Sequence, residues 1–378
     1  MKKIILVTNI ISPYRIPLYN YISQNEDFEF KVIALAEKEE NREWKLQKDK
    51  INFNYQILPG WHLFFRKKTR EIPVHINIGI LNLIWKYRPD IVITSGYDSL
   101  AYWQAFFYCK IFKKKYILWN GTTLLSSGSI GGIRGIFKKI IIKGADKYIA
   151  YSTKAREYLE YFGAEPKNIY ISTNTVDVRY FHDKVFQYKN SKEFLEDRSK
   201  YPDILFLYVG QLIKRKGIRQ ILKALSPLND INAGLMIIGN GAEKKNLEEF
   251  CEDNGLKNIF FKGFRQQKEL LEYYALADVF ILPSFQEVWG LVVNEALASG
   301  LYVLSSKYAG ASYDLINSEN GRVFDPSNIL ETIEQMKFCK NNIEEIKAKR
   351  KKIGDWAKEN LSIAKSGEQF ISAIKSLL

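Results

Sequence analysis

Residues 284–300, SFQEVWGLVVNEALASG, constrain this chain more than any other stretch. Just upstream, residues 277–283 (ADVFILP) form a short apolar run that reads as a buried strand, and residues 301–305 begin another. Between them lie an acidic loop, a glycine and a helical pattern. Strand, loop, helix and strand in that order describe an α/β sheet, in which ligands bind where strand C-termini meet helix N-termini. The N–H groups of Gly290, Leu291 and Val292 open the helix and favour a phosphate. Glu287 lies outside the helix and Glu295 one turn inside it, and each carboxylate can accept two hydrogen bonds from a pair of hydroxyls. A phosphate site between two polyol binders describes a nucleotide sugar. The bland alternative is a solvated helix carrying two glutamates, and the apolar, glycine-punctuated surroundings weigh against it.

At 378 residues the chain has room for two domains with separate cores. A hydrophobic content of 46% excludes a disordered protein, and no run approaches the ~20 apolar residues that span a bilayer. The opening MKKIILVTNI is too short and too quickly interrupted, by Asn9, Ser12, Pro13 and Arg15, to be a signal peptide; it reads as the first strand of a parallel sheet. Cys109, Cys251 and Cys339 are scattered, as are His62, His75 and His182, so no metal site is legible and a cytoplasmic, reducing compartment is expected. The net charge of +14 is concentrated: residues 51–150 hold 15 Lys and Arg against 4 Asp and Glu. No helix-turn-helix, zinc or RNP motif accompanies that basicity, which argues against nucleic acid as the partner.

The N-terminal half alternates expected strands (4–8, 30–35, 91–94, 116–119, 147–151) with expected helices (78–87, 102–112, 154–162), the pattern of a doubly wound sheet. A polar, highly charged stretch over 181–203 is the linker candidate. The division is therefore a first domain over 1–180, the linker, a second domain over 204–360, and a final helix over 361–378 with Phe370, Ile371, Ile374 and Leu377 on one apolar face. Residues 133–144 (IRGIFKKIIIKG) place Ile133, Ile136, Phe137, Ile140 and Ile141 at helical spacing among Arg134, Lys138, Lys139 and Lys143. That basic amphipathic helix either packs on the core or meets an anionic membrane. The run RKKTR at 66–70, after Phe64 and Phe65, adds to the membrane reading, which covers residues 64–70 and 133–143.

Three more segments carry chemistry. In LYVGQLIKRKG (207–217), Lys216 sits at a helix entry, where a cation is unfavourable unless an anion compensates it. GNGAEKKNL (239–247) is either a strand-to-helix turn or a ligand loop. FKGFRQQKELLEYYALAD (261–278) leads into the strand before Glu287. Together with the two glutamates eight residues apart, this ordered set resembles the retaining glycosyltransferases of family 4, with their E-x7-E motif and two-domain GT-B architecture.

The resemblance is gap-free over about residues 204–326 and looser before them. It implies two Rossmann-like domains facing a central cleft, with the last helix crossing back to the first domain. It further implies that Glu295 binds the donor ribose and Glu287 the transferred sugar, and that Lys216 with the amides of Gly290, Leu291 and Val292 holds the diphosphate. Gly210, Gln211, Arg215, Asn240, Gly263, Phe264 and Arg265 complete the donor side. The implied reaction needs no metal or cofactor and moves a hexosyl or N-acetylhexosaminyl unit to a glycan or lipid-linked acceptor. Neutralising the departing diphosphate is the chemical purpose of Lys216.

Gln211 stands where arginine is usual, and the first loop (NIISPYR, 9–15) lacks the usual glycines, so Arg15 becomes the residue for a donor phosphate or an anionic acceptor, with a structural salt bridge as the alternative. Asn120 occupies the place of an active-site histidine; its amide can bind a sugar hydroxyl but cannot shuttle a proton. Two further alternatives are a nucleotide-sugar-binding protein without transferase activity and a basic nucleic-acid- or membrane-binding protein.

Overall fold

Strands that are apolar on both faces must be covered on both faces, and each half of this chain meets that demand with a parallel sheet between helical layers. The structure, a computed structural model, describes residues 1–39, 46–67, 70–127, 131–228 and 232–378, with the backbone alone for 64–67, 70–73, 133 and 228. It divides into two units: Met1–Asn174 with Ile363–Leu378, and Thr175–Ser362.

The first unit contains β1 (Lys2–Thr8), β2 (Phe28–Ala34), β3 (Asn54–Ile57), β4 (Trp61–Lys67), β5 (Arg70–Ile76), β6 (Ile91–Thr94), β7 (Lys115–Asn120), β8 (Lys147–Ala150) and β9 (Ile169–Ile171). Seven of these form one parallel sheet in the order β3-β2-β1-β6-β7-β8-β9, while β4 and β5 make a separate antiparallel hairpin. Alternation along β1 sends Ile5 and Val7 to one buried layer and Ile4 and Leu6 to the other. The C-terminal helix Ile363–Lys375 completes the second layer. Its Phe370 meets Trp119 edge-on at 5.1 Å, Ile374 is fully buried, and Ile371 and Leu377 pack half-buried beside them. Ser366 fixes its start through Ser172 (2.9 Å) and the Thr173 carbonyl (2.8 Å).

The second unit holds β10 (Ile204–Val209), β11 (Ala233–Ile238), β12 (Ile259–Gly263), β13 (Val279–Leu282), β14 (Tyr302–Ser306) and β15 (Gly321–Phe324), in the order β12-β11-β10-β13-β14-β15. Strand order reverses between β10 and β13, which places the sheet's ligand crevice at their C-terminal ends.

Residues 181–203 are not a linker. They form most of two helices, Val178–Lys189 and Lys192–Arg198, that belong to the second unit. Asp177 and Ser191 cap them, and Phe181 and Val185 are buried, with Phe181 edge-on to Tyr274 at 5.8 Å. Few apolar side chains sufficed because those few are placed on one face. The unit boundaries accordingly fall after Asn174 and Ser362. The helix over 132–143 is also turned from the expected face: Ile141 and Ile142 are buried, while Ile136, Phe137 and Ile140 are exposed. Of the basic run 66–70, residues 68 and 69 lie outside the described residues. No helix among the described residues is long and apolar enough to cross a membrane.

Removing the Phe370 ring should destabilise the first unit alone. Phe370→Ala is expected to cost about 3–5 kcal/mol, read as an earlier first-unit transition in denaturant unfolding with the second transition unmoved. A loss below about 1 kcal/mol would show that the terminal helix contributes little to that core.

Candidate functional site

At the switch between β10 and β13, two loops 71 residues apart in sequence are locked together. The turn after β10 is a short 3-10 helix, Lys214–Lys216, that ends on Gly217 with φ +70°. A Cβ on Gly217 would overlap the Pro283 carbonyl oxygen, so only glycine allows this approach. Phe285 N donates to the Arg215 carbonyl (2.8 Å), and the Arg215 guanidinium donates to the Gln286 carbonyl (3.2 Å). The ammonium of Lys216 is thereby brought onto the carboxylate of Glu287 as an ion pair, with side chains only 12% and 17% exposed. Arg215 thus anchors the loop, and its remaining donors are secondary to that role. Beneath, the buried Tyr208 hydroxyl donates to the Gln211 carbonyl (2.9 Å). Burial, and then the Glu287 charge, keep the Tyr208 proton well above the usual phenol range.

Gly290 caps the helix Leu291–Ala298 with φ +100°, and its Leu291 and Val292 N–H groups open the helix as expected. Glu295 lies on this helix but is 1% exposed. One carboxylate oxygen accepts from the Tyr274 hydroxyl (2.7 Å); the other, like the Ser284 hydroxyl, has no hydrogen-bond partner among the described residues. Burial raises the Glu295 pKa to about 7, the Tyr274 hydrogen bond opposing it.

The G-N-G turn is built first for close backbone approach. A Cβ on Gly239 would overlap the Gly210 carbonyl, and one on Gly241 would overlap that of Leu212. Leu212 N in turn donates to the Asn240 carbonyl (2.8 Å). Gly263 has φ +71° and passes beside the Asn240 side chain. Phe264 is half-buried, and Arg265 donates to Tyr273 (3.1 Å) and to the Phe264 carbonyl (3.3 Å). The loops after β10, β11, β12 and β13 therefore meet along one edge of the second sheet.

In the first unit, Asn120 closes a turn of its own. It is buried, its Nδ2 donates to the Thr122 carbonyl (3.0 Å) and its Oδ1 accepts from Thr122 N (3.3 Å), so one bond at each end of the amide fixes its orientation. Arg15 makes no salt bridge among the described residues. Its guanidinium lies 4.3 Å from the Trp119 ring and 4.8 Å from the Tyr151 ring. Stacking fixes the plane of the guanidinium without occupying its in-plane donors. A third cluster had no sequence signal: the β4–β5 register sets His62 opposite His75, with Nδ1 atoms 3.0 Å apart and His75 Nε2 3.4 Å from Glu39. Tyr274 and Ser284 were likewise not singled out from sequence; Tyr274 lies in the YYALAD segment, whose pattern marks a buried helix face but not a carboxylate partner.

Two outcomes are expected. Gly217→Ala should cost about 2 kcal/mol or more, since it combines a left-handed backbone with a carbonyl overlap, and should loosen the Lys216–Glu287 pair; an unchanged melting temperature would contradict the locked-loop geometry. Glu295 keeps its proton to a higher pH in the folded state than unfolded. Folding stability should therefore fall as pH rises from the ordinary 4.5 through about 7, by at most about 3 kcal/mol. Glu295→Gln should remove that slope in melts across pH 4–8, and a parallel decline in wild type and variant would refute it.

Residues 190–359 match the family model for glycosyl transferases group 1. A D-inositol 3-phosphate glycosyltransferase of Paenarthrobacter aurescens (strain TC1) is 29% identical over 208 residues, 52% of this chain and 50% of that protein. An uncharacterized glycosyltransferase of Methanocaldococcus jannaschii is 25% identical over 367 residues, 94% of this chain and 92% of that one. The chain thus spans about half the length of the first relative and most of the second. Among solved structures, Anabaena Alr3699/HepE in complex with UDP aligns over 100% of both chains with a TM-score of 0.77 at 14% identity, a likeness of fold. Residues 190–359 thus resemble the glycosyl transferases group 1 family, and the chain has a GT-B fold of two Rossmann-like units.

Proposed function

We propose that the protein is a retaining, metal-independent glycosyltransferase. It moves a hexosyl or N-acetylhexosaminyl unit from a nucleotide sugar, UDP-linked first and GDP-linked next, to a glycan or lipid-linked acceptor in cell-surface polysaccharide synthesis at the cytoplasmic membrane face. The observation that carries this reading is the Lys216–Glu287 pair held at the switch point of the second sheet. In that pair each charge is satisfied by the other. When a donor binds, its diphosphate takes Lys216 and its sugar hydroxyls take Glu287, so both groups exchange one strong partner for another.

Lys216 and the N–H groups opening the helix at Leu291 then stabilise the charge that grows on the departing diphosphate. The acceptor oxygen bonds to the anomeric carbon on the face from which the phosphate oxygen leaves, and the acceptor's proton passes to that phosphate oxygen. No protein base is required, which suits a chain whose Asn120 is tied into its own turn. Glu295 and Ser284 offer buried polar atoms to the nucleotide's ribose. Arg15, held flat by Trp119 and Tyr151, offers its donors to an anionic group of the acceptor.

A thermal-shift panel of UDP, GDP, ADP and their sugar conjugates tests the donor half. One nucleotide should stabilise the wild type in the presence of a chelator and fail to stabilise Glu295→Ala. In a transfer assay with that donor, Lys216→Ala should lower kcat by about 10²–10³-fold. Arg15→Ala should raise the KM for acceptor while leaving the donor's thermal shift in place. No response to any nucleotide by the folded protein would move the reading to a binding module, and dependence on added metal would overturn the role given to Lys216.

A further inference from the structure

We infer that the first unit carries a docking face for an anionic lipid bilayer, built from the helices Ile80–Tyr87, Leu100–Ile111 and Gly132–Lys143. The middle helix, LAYWQAFFYCKI, is apolar on nearly every side. Ala101, Tyr102, Ala105, Phe106 and Cys109 account for the side facing the sheet, where they join the buried core. Phe107 and Ile111 point the other way, and Ile111 is 70% exposed. A helix apolar all round is expected in a protein core or against lipid, not against water.

Its neighbours extend the surface. Trp85 of the first helix meets Phe112 at 5.0 Å, and Trp103 meets Phe137 of the third helix at 5.7 Å. The exposed Trp85, Phe107, Ile111, Ile136 and Phe137 thus belong to three segments linked by ring contacts, rather than to scattered single positions. This face is wider than the helix over 132–143 alone.

Charge decides what covers it. Residues 99–145 contain no Asp or Glu and eight basic residues: Lys110, Lys113, Lys114, Lys115, Arg134, Lys138, Lys139 and Lys143. Lys110 and Lys139 are exposed beside the apolar side chains. Aromatic and branched side chains that enter the acyl boundary, with lysines reaching phosphate headgroups, match an anionic bilayer. A second copy of the chain would set the same cations against each other, and nucleic acid would leave the apolar side chains uncovered. The inference does not rest on the transferase reading, since binding to lipid is read without donor or acceptor.

Vesicle flotation of the full chain at low salt tests it, with phosphatidylcholine alone and with phosphatidylglycerol added. The protein should float with the anionic vesicles and stay behind with the neutral ones. Lys110→Gln with Lys139→Gln should weaken partitioning about fivefold per lysine, and Phe107→Ser with Ile111→Ser about tenfold per side chain. All four side chains are exposed, so unchanged circular dichroism will certify the variants as folded. Absence of flotation, equal flotation on both vesicles, or variants that bind like the wild type would overturn the inference. So would a concentration-dependent dimer in sedimentation that Phe107→Ser with Ile111→Ser abolishes, because that would give the face to a second copy.

Discussion

The missing Cβ of Gly217 is the constraint on which the second unit's chemistry rests. Parallel order puts β10 beside β13, but adjacency of strands does not by itself bring the following loops into contact. The left-handed turn at Gly217 does so, by letting the chain close on the Pro283 carbonyl. Once it has closed, the Arg215 and Phe285–Gln286 hydrogen bonds fix the register between the loops. Lys216 and Glu287 can then meet only where the sheet reverses its order. A fixed cation and a fixed carboxylate at a strand end, held by backbone on both sides, are preorganised, which is what the proposed donor, carrying both an anion and hydroxyls, requires.

The polar groups buried nearby follow a different economy. A carboxylate oxygen on Glu295 and the hydroxyl of Ser284, both without a partner among the described residues, each forfeit stability, of the order of 1–3 kcal/mol per group. Glu295 limits that loss by holding its proton up to about pH 7, and Tyr274 satisfies one of its oxygens. Groups kept in this condition are more economically understood as parts of a binding site than as parts of a core, because hydrophobic residues of the same size would fill the space at lower cost.

What was legible in the sequence was local. The apolar strands, the Gly290 helix start and the E-x7-E spacing are each encoded within about twenty residues, and the final helix declared its buried face through Phe370 and Ile374. What was hidden depends on contacts distant in sequence. The Arg15 sandwich needs Trp119 and Tyr151 from two other strands, and the His62–His75 pair needs the register of a hairpin with no turn signal of its own. The turn that Asn120 closes with Thr122 was equally hidden, because residue type alone does not show which hydrogen bonds orient the amide. Residues 181–203 misled through composition, since charge density described their outer face and concealed Phe181 and Val185. The helix over 132–143 shows the limit of periodicity: spacing found an apolar face, and packing turned much of it outward.

The central claim is that Glu287 holds Lys216 ready for a diphosphate and competes with it for the same ammonium. Titration calorimetry of the preferred nucleoside diphosphate against wild type and Glu287→Gln tests that claim most directly. Removing the competing carboxylate charge should tighten binding of the diphosphate while abolishing the preference for its sugar conjugate. Weaker or unchanged diphosphate binding in the variant would contradict the claim, leaving the ion pair a purely structural link between the two loops.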